Sequence, residues 1–224
     1  MGSSEVHNKI IDWIQAHSMR NVSLLMRHAH RYPIPKGVIK HQTVLLTKKG
    51  RTLAFEFGKH LPRSYSLRLF HSPVLRCKET AEYVLKGFQS INGVAKIMGA
   101  KEFLLINLVD QREMVRILDE MGHQQFGYRW LKGKIDERII DNPARVASTT
   151  INGVIRLMEH EGKQKMDIHI THDLNILSVR EFISPVPDDT FDWPAYLNGI
   201  IFTQNEENVT LIRRPFQKPL KLAG

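Results

Sequence analysis

Residues Arg27-His28-Ala29-His30-Arg31 put two guanidinium groups and two imidazoles into five consecutive positions. A neutral imidazole is a nucleophile that can accept a phosphoryl group, and guanidinium forks hold phosphoryl oxygens in bidentate fashion. The chemistry this pattern suits is attack at the phosphorus of an anionic ester. Two later stretches carry similar groups: His71-Ser72-Pro73 with Arg76 shortly after, and Thr171-His172-Asp173.

Each of these groups follows a short apolar run. Val22-Ser23-Leu24-Leu25-Met26 precedes the first, Leu67-Arg68-Leu69-Phe70 the second, and residues 166–170 the third. Short runs rich in Val, Ile and Leu read as buried strands. Neighbouring parallel strands deliver their carboxyl ends to one rim, where open α/β sheets bind ligands, so groups distant in sequence can converge there. Between the strands, helical spacing predicts a leading helix over 6–17, a helix from the Thr47 N-cap to about Leu61, one over 75–88, one over 107–121, a long one over 143–161 and one near 174–182. A further strand is expected at 94–98 and a C-terminal hairpin over 199–203 and 209–213, turned at 204–208. The segments 34–40 and 184–193, with Pro35, Gly37, Pro185 and Pro187, read as loops. Residues 122–142 read as polar and irregular. The alternation of strands and helices predicts a single α/β domain over 1–224, a three-layer α/β/α sandwich with a mostly parallel sheet and a cap inserted at about 103–142.

At 224 residues and 42% hydrophobic content the chain fits one globular domain. No stretch approaches the ~18 uninterrupted apolar residues of a membrane span. Met1-Gly2-Ser3-Ser4-Glu5-Val6-His7 lacks the basic-then-apolar order of a secretory signal, and Val6 stands where a myristoylation signal needs Ser or Thr. Cys77 is the single cysteine, so no internal disulfide can form. These features lead to the expectation of a cytoplasmic protein with no membrane partner. The net charge of +9 is spread along the chain rather than gathered in a tract, which argues for an anionic small molecule over nucleic acid as partner.

The same residues resemble the histidine phosphatase superfamily, which includes phosphoglycerate mutases, acid phosphatases and phytases. Arg27-His28-Ala29 is similar to its Arg-His-Gly motif, and Leu46-Thr47-Lys48-Lys49-Gly50 to its Leu-Thr-x-x-Gly helix start. Ser72-Pro73-Val74-Leu75-Arg76-Cys77-Lys78-Glu79-Thr80-Ala81 is similar to its Ser-Pro-x-x-Arg-x-x-x-Thr-Ala element, and His172 to its late histidine. Arg31 with Pro33 and His172-Asp173-Leu174-Asn175 resemble the acid phosphatase and phytase branch, while the size resembles the mutase-like branch.

The resemblance implies a phosphoglycerate mutase-like fold and a phosphatase that hydrolyses a small phosphorylated molecule without cofactor or metal. His28 would form a phosphohistidine, and Arg27, Arg31 and Arg76 would hold the phosphoryl oxygens. His172 would face His28, and Asp173 would protonate the leaving group, with Glu102 as the alternative donor. Ala29 departs from the family's glycine and would narrow or shift the site. Three other functions remain open: a metal-dependent hydrolase using His28, His30, His172 and Asp173, a non-catalytic phospho-ligand binding module, and a phosphomutase. Substrate choice is assigned to the cap and to the loop at 184–194. There Arg129, Lys132, Lys134 and Arg138 either meet extra anionic groups or form a solvated basic face. His30 reads as a bystander, His71 as support for the pocket, and Trp13, Trp130, Trp193 and Cys77 as packing.

Overall fold

The computed structural model describes residues 3–17, 21–39, 41–158, 164–183, 191–204, 209–212 and 220–222. The elements run α1 (Ser3–His17), β1 (Asn21–Arg27), α2 (Lys48–His60), β2 (Ser66–His71), α3 (Leu75–Gln89), β3 (Ala95–Ala100), α4 (Gln111–Met121) and α5 (His123–Leu131). They continue with α6 (Pro143–Met158), β4 (Lys165–Thr171), α7 (Asp173–Ile183), β5 (Gly199–Gln204), β6 (Val209–Ile212) and β7 (Leu220–Leu222).

The strands form one seven-stranded sheet in the order β3-β2-β4-β1-β5-β6-β7. β3, β2, β4 and β1 are mutually parallel, and β5, β6 and β7 extend the sheet in antiparallel steps. Apolar side chains alternate between two cores. Leu24 and Met26 of β1, with Ile168 and Ile170 of β4, join Ile10, Ala54, Phe57, Val84 and Phe88 of α1, α2 and α3. On the opposite face Leu25 and Phe70 join Ile151, Val154, Ile176 and Val179 of α6 and α7. Burial on both faces explains why the parallel strands read as continuous apolar runs rather than as alternation. The result is the expected α/β/α sandwich.

Residues 105–142 carry a third apolar cluster of their own, built on Met114, Val115, Phe126, Trp130 and Ile140. Here the structure differs from the sequence reading, because α5 occupies nine residues of the stretch expected to be irregular. Gly122, Gly127 and Gly133 masked its pattern. Gly127 is present for packing: a Cβ there would stand 2.6 Å from the Trp193 ring. The helix expected over 107–121 begins at Gln111, where the Asp110 side chain caps it by accepting from Glu113 N. The strand expected at 94–98 is β3, displaced toward the C-terminus, and β7 had no counterpart in the sequence reading. The hairpin strands are β5 and β6, whereas the turn at 205–208, Arg213 and the loop residues 184–190 lie outside the described residues.

The registers place the chemistry. Met26 and His71 both pair with Ile170, and Arg27 pairs with Thr171. The ladder continues one residue further, as His28 N donates to Thr171 O at 3.0 Å and Ser72 N to Ile170 O at 2.9 Å. The ends of β1, β4 and β2 therefore stand level on one rim, with β4 in the middle.

His169 of β4 is fully buried, and neither ring nitrogen has a partner among the described residues. It stacks on Phe70 with ring centroids 4.9 Å apart. Burial pushes its imidazole down to about 4 from the usual 6.5, against a smaller raising effect from Asp167. The unfolded chain thus binds a proton that the folded chain refuses. Stability from this group is fully present above pH 6.5 and is lost as the pH falls toward 4. Replacing His169 with Leu removes two unpaired buried nitrogens and should stabilise the fold by about 1–2 kcal/mol. It should also flatten the stability loss between those pH values. Urea unfolding of both proteins across that range checks this, and an unchanged pH slope would contradict it.

Candidate active site

His28 immediately follows β1 and is almost fully buried. Its Nδ1 lies 2.8 Å from the Ala29 carbonyl, and its Nε2 lies 3.0 Å from Arg76 Nε. A guanidinium can only donate, so Nε2 carries the lone pair and Nδ1 the proton. Arg76 NH2 also lies 3.2 Å from His172 Nδ1, and His172 Nε2 lies 3.0 Å from Ser72 Oγ. The same logic makes His172 Nδ1 an acceptor and leaves its Nε2 proton to the Ser72 hydroxyl. One guanidinium therefore fixes the tautomers of two imidazoles whose centroids are 5.6 Å apart.

Burial is the main cause that holds the His28 imidazole well below the ordinary 6.5. Arg76, His172 and Arg27 add to it, and the Ala29 carbonyl opposes it weakly. The His28 lone pair is available across the neutral range. Cys77 lies beneath His172, with Sγ 3.7 Å from Nε2. Burial pushes its thiol up to about 12, so it is an inert packing group.

The motif residues have local structural reasons. Thr80 Oγ1 accepts from Ala29 N at 3.1 Å and donates to Arg76 O at 2.7 Å, which locks the turn after β1 to α3. Glu79 accepts from Leu46 N and from Arg51, which ties α3 to the start of α2. Thr47 caps α2 by accepting from Gly50 N, its own N–H donates to His30 O at 3.1 Å, and its Oγ1 lies 2.8 Å from His30 Nδ1. A Cβ on Gly50 would stand 1.9 Å from the His30 carbonyl oxygen, so only glycine lets α2 approach the site this closely.

Ala29 is not a positive-φ residue, and its methyl is fully buried in the core against α2 and α3. It does not line the cavity. The Ala29 methyl therefore takes up no cavity space directly.

A cavity of about 440 Å³ opens over the rim and is lined by His28, Arg31, Arg76, His172, Asp173 and Glu102, among others. Lys101 N donates to His71 O at 2.9 Å, which carries the end of β3 to the same rim and delivers Glu102 there. Glu102 is exposed, its carbonyl accepts from Leu105 N at 2.9 Å, and its carboxyl has no ion-pair or hydrogen-bond partner among the described residues. Arg31 spends one nitrogen on the Tyr32 carbonyl at 2.8 Å.

Arg27 does not line this cavity. Its NH1 donates to Pro194 O at 2.6 Å, its NH2 pairs with Asp173 Oδ2 at 2.7 Å, and its guanidinium lies 4.1 Å from the Tyr196 ring centre. Its Nε is buried without a partner among the described residues. Burial alone would raise the Asp173 carboxyl. Arg27, with His172 and the Leu174 N–H, outweighs burial and holds it below the ordinary carboxylate value.

His30 turns away from the cavity toward Thr47 and the Tyr196 ring, at a centroid distance of 5.1 Å. His71 stays close to its own chain, with Nδ1 2.8 Å from Ser72 O. Among the described residues no group of three or more His, Cys, Asp or Glu is arranged to hold a metal ion. The alternative set of His28, His30, His172 and Asp173 is not assembled, because His30 points elsewhere and Arg76 stands between His28 and His172. Arg129, Lys132, Lys134 and Arg138 do not line the cavity. Lys132 pairs with Glu181 at 3.3 Å and Arg138 with Asp136 at 2.6 Å. Among the described residues no helix is long and apolar enough to cross a membrane.

The sequence reading missed the segment that closes the site behind Arg27. Arg180 donates to Asp192 O and pairs with its carboxylate, which anchors the approach to Trp193 and Tyr196. Leu197 is buried with φ 57°, and its N–H donates to Arg27 O at 3.1 Å. A bulky residue in that region carries strain of about 1–3 kcal/mol. Trp193 lines the cavity rather than serving only as packing. A tryptophan and a tyrosine after a proline-rich loop were the available sequence signal.

No protein-family model matches the sequence, and no curated protein sequence matches it. Solved structures do match. Bacillus stearothermophilus YhfR superposes with a TM-score of 0.61 at 22% identity, covering 83% of this chain and 92% of that one. A mycobacterial glucosyl-3-phosphoglycerate phosphatase in complex with VO3 gives 0.54 at 16% identity, covering 83% and 92%. A phosphoglycerate mutase from Bacillus anthracis gives 0.56 at 13% identity, covering 90% and 92%. The chain therefore has the fold of these structures, a phosphoglycerate mutase among them.

The tautomer assignment is directly measurable. Nitrogen-detected NMR of the histidine rings should show His28 as the neutral Nδ1–H form, with no titration near the ordinary value of 6.5 and protonation only well below it. Titration of His28 near 6.5 would contradict the geometry.

Proposed function

We propose that this protein is a phosphomonoester phosphatase in which His28 carries the phosphoryl group and no metal takes part. The observation that supports this most strongly is the Arg76 guanidinium shared between His28 Nε2 and His172 Nδ1. It leaves a nucleophilic lone pair beside fixed positive charge, the environment that phosphoryl transfer demands. When the dianionic phosphoryl group enters, Arg76 turns its N–H groups to the phosphoryl oxygens, Arg31 contributes from the cavity wall, and Arg27 adds positive charge near His28. His28 Nε2 attacks phosphorus, and the ester P–O bond breaks.

The leaving alkoxide takes a proton from a carboxyl group. The sequence reading preferred Asp173, yet Asp173 is the ion-pair partner of Arg27 and is held ionised. We assign the proton to Glu102, an exposed carboxyl on the cavity wall without a competing cation among the described residues. Asp173 then acts through Arg27 as a positioning residue. In the second step water attacks the phosphohistidine, Glu102 accepts the proton, and the P–N bond breaks to release phosphate and restore His28. Hydrolysis is chosen over mutase chemistry because a mutase must hold a second anionic group. Away from the histidine–arginine cluster, the described residues lining this cavity include no lysine or arginine to hold one.

Protonation matters most for a poor leaving group, and general-acid catalysis is worth about 10²–10⁴ in rate. Glu102→Gln should lower turnover of an alkyl phosphate about 100-fold or more while affecting p-nitrophenyl phosphate much less. Asp173→Asn should lower both in similar proportion, and His28→Ala should abolish both. A selective loss of the alkyl ester in Asp173→Asn would return the acid to Asp173. Unimpaired turnover in His28→Ala would refute the phosphatase mechanism.

A further inference from the structure

Beyond the phosphate-binding end, the cavity wall is mainly apolar, with Ile34, Val38, Met114, Leu118, Phe126 and Trp193 among its residues. These come from the loop after β1, from α4 and α5, and from the segment before β5, so the apolar character is built from four separate parts of the chain. Gln42, Asn107 and Gln111 add uncharged polar groups among them. The Asp119 carboxylate accepts from Gly37 N at 2.7 Å and so straps the loop carrying Ile34 and Val38 to α4. His123 also lines the cavity, and burial holds its imidazole below the usual value, with Asp173 opposing. It is neutral at neutral pH and offers no cation.

Leu105, an apolar residue of the same lining, is 36% exposed and carries this character to the surface.

We infer that the substrate is a monophosphate ester of an apolar alcohol, aliphatic or aromatic, with no second anionic group. This rests on the phosphatase reading and specifies its leaving group. The phosphoryl end is held at His28, Arg31 and Arg76. The alcohol lies along α4 under the strapped loop, where burying carbon is favourable and a carboxylate or second phosphate would meet no lysine or arginine among the described lining residues. Sugar-acid phosphates and bisphosphates are therefore poor substrates.

The test is a series of ethyl, butyl and hexyl phosphate, set against 3-phosphoglycerate and glycerol 3-phosphate, with wild type and His28→Ala in parallel. Unbranched alkyl esters keep the leaving-group chemistry nearly constant along the series. The kcat/KM should rise about three- to fourfold per added methylene until the cavity is filled, and hexyl phosphate should exceed 3-phosphoglycerate by at least 100-fold. In Leu118→Gln and in Ile34→Asn the hexyl-to-ethyl ratio should shrink at least threefold. That ratio is internal to each variant and is insensitive to the fraction of protein folded. A flat chain-length series, or 3-phosphoglycerate as the better substrate, with turnover still dependent on His28, would overturn the apolar assignment and leave the phosphatase reading standing. Absence of His28-dependent hydrolysis from every ester would overturn both.

Discussion

One guanidinium shared between two neutral imidazoles is the contact on which the site depends. Arg76 reaches His28 Nε2 at 3.0 Å and His172 Nδ1 at 3.2 Å. It can do so only because β1, β4 and β2 end level with one another and α3 begins directly above them. A one-residue slip in either strand pairing would turn the terminal side chains to the opposite face of the sheet. The two apolar cores hold that register. Leu24, Met26, Ile168 and Ile170 must face one core and Leu25 and Phe70 the other. Packing in the body of the sheet thus determines geometry at its edge.

Around this contact the charges are arranged so that burial and pairing oppose each other. Burial strips protons from His28, while pairing with Arg27 strips them from Asp173. Buried cations without full pairing are costly, and Arg27 keeps an unsatisfied Nε. The cost is offset by the groups around the guanidinium: the Asp173 carboxylate, the Pro194 carbonyl and the Tyr196 ring all close on it. Such a shell holds donors in place before a ligand arrives, which is how fixed dipoles favour a transition state without reorganising.

The sheet and the rim at which its histidines and arginines converge could be read from the sequence because their signals are local. Apolar runs ending in Arg27-His28, His71 and His172 declare both the strand and its terminus. What escaped reading depends on distant partners. The α5 helix was hidden by three glycines, one of which exists only because the Trp193 ring packs against it. Ala29 raised concern as a replacement for glycine, yet its methyl enters the core because Thr80 and α3 draw the turn that way. Asp173 looked like a free acid beside His172, and nothing in its neighbourhood announced that Arg27, 146 positions earlier, would pair with it. The apolar character of the cavity was likewise invisible, since Ile34, Leu118 and Trp193 meet only in the folded chain.

The account stands on phosphoryl transfer to His28, and trapping that intermediate tests it most directly. Wild-type protein mixed with p-nitrophenyl phosphate and quenched in alkali within milliseconds should carry phosphate that survives base and is lost in acid. Peptide mass spectrometry should place it on His28, and His28→Ala should carry none and release no nitrophenol above background. Full nitrophenol release by His28→Ala, or a phosphate found on any other residue of the wild type, would contradict the account.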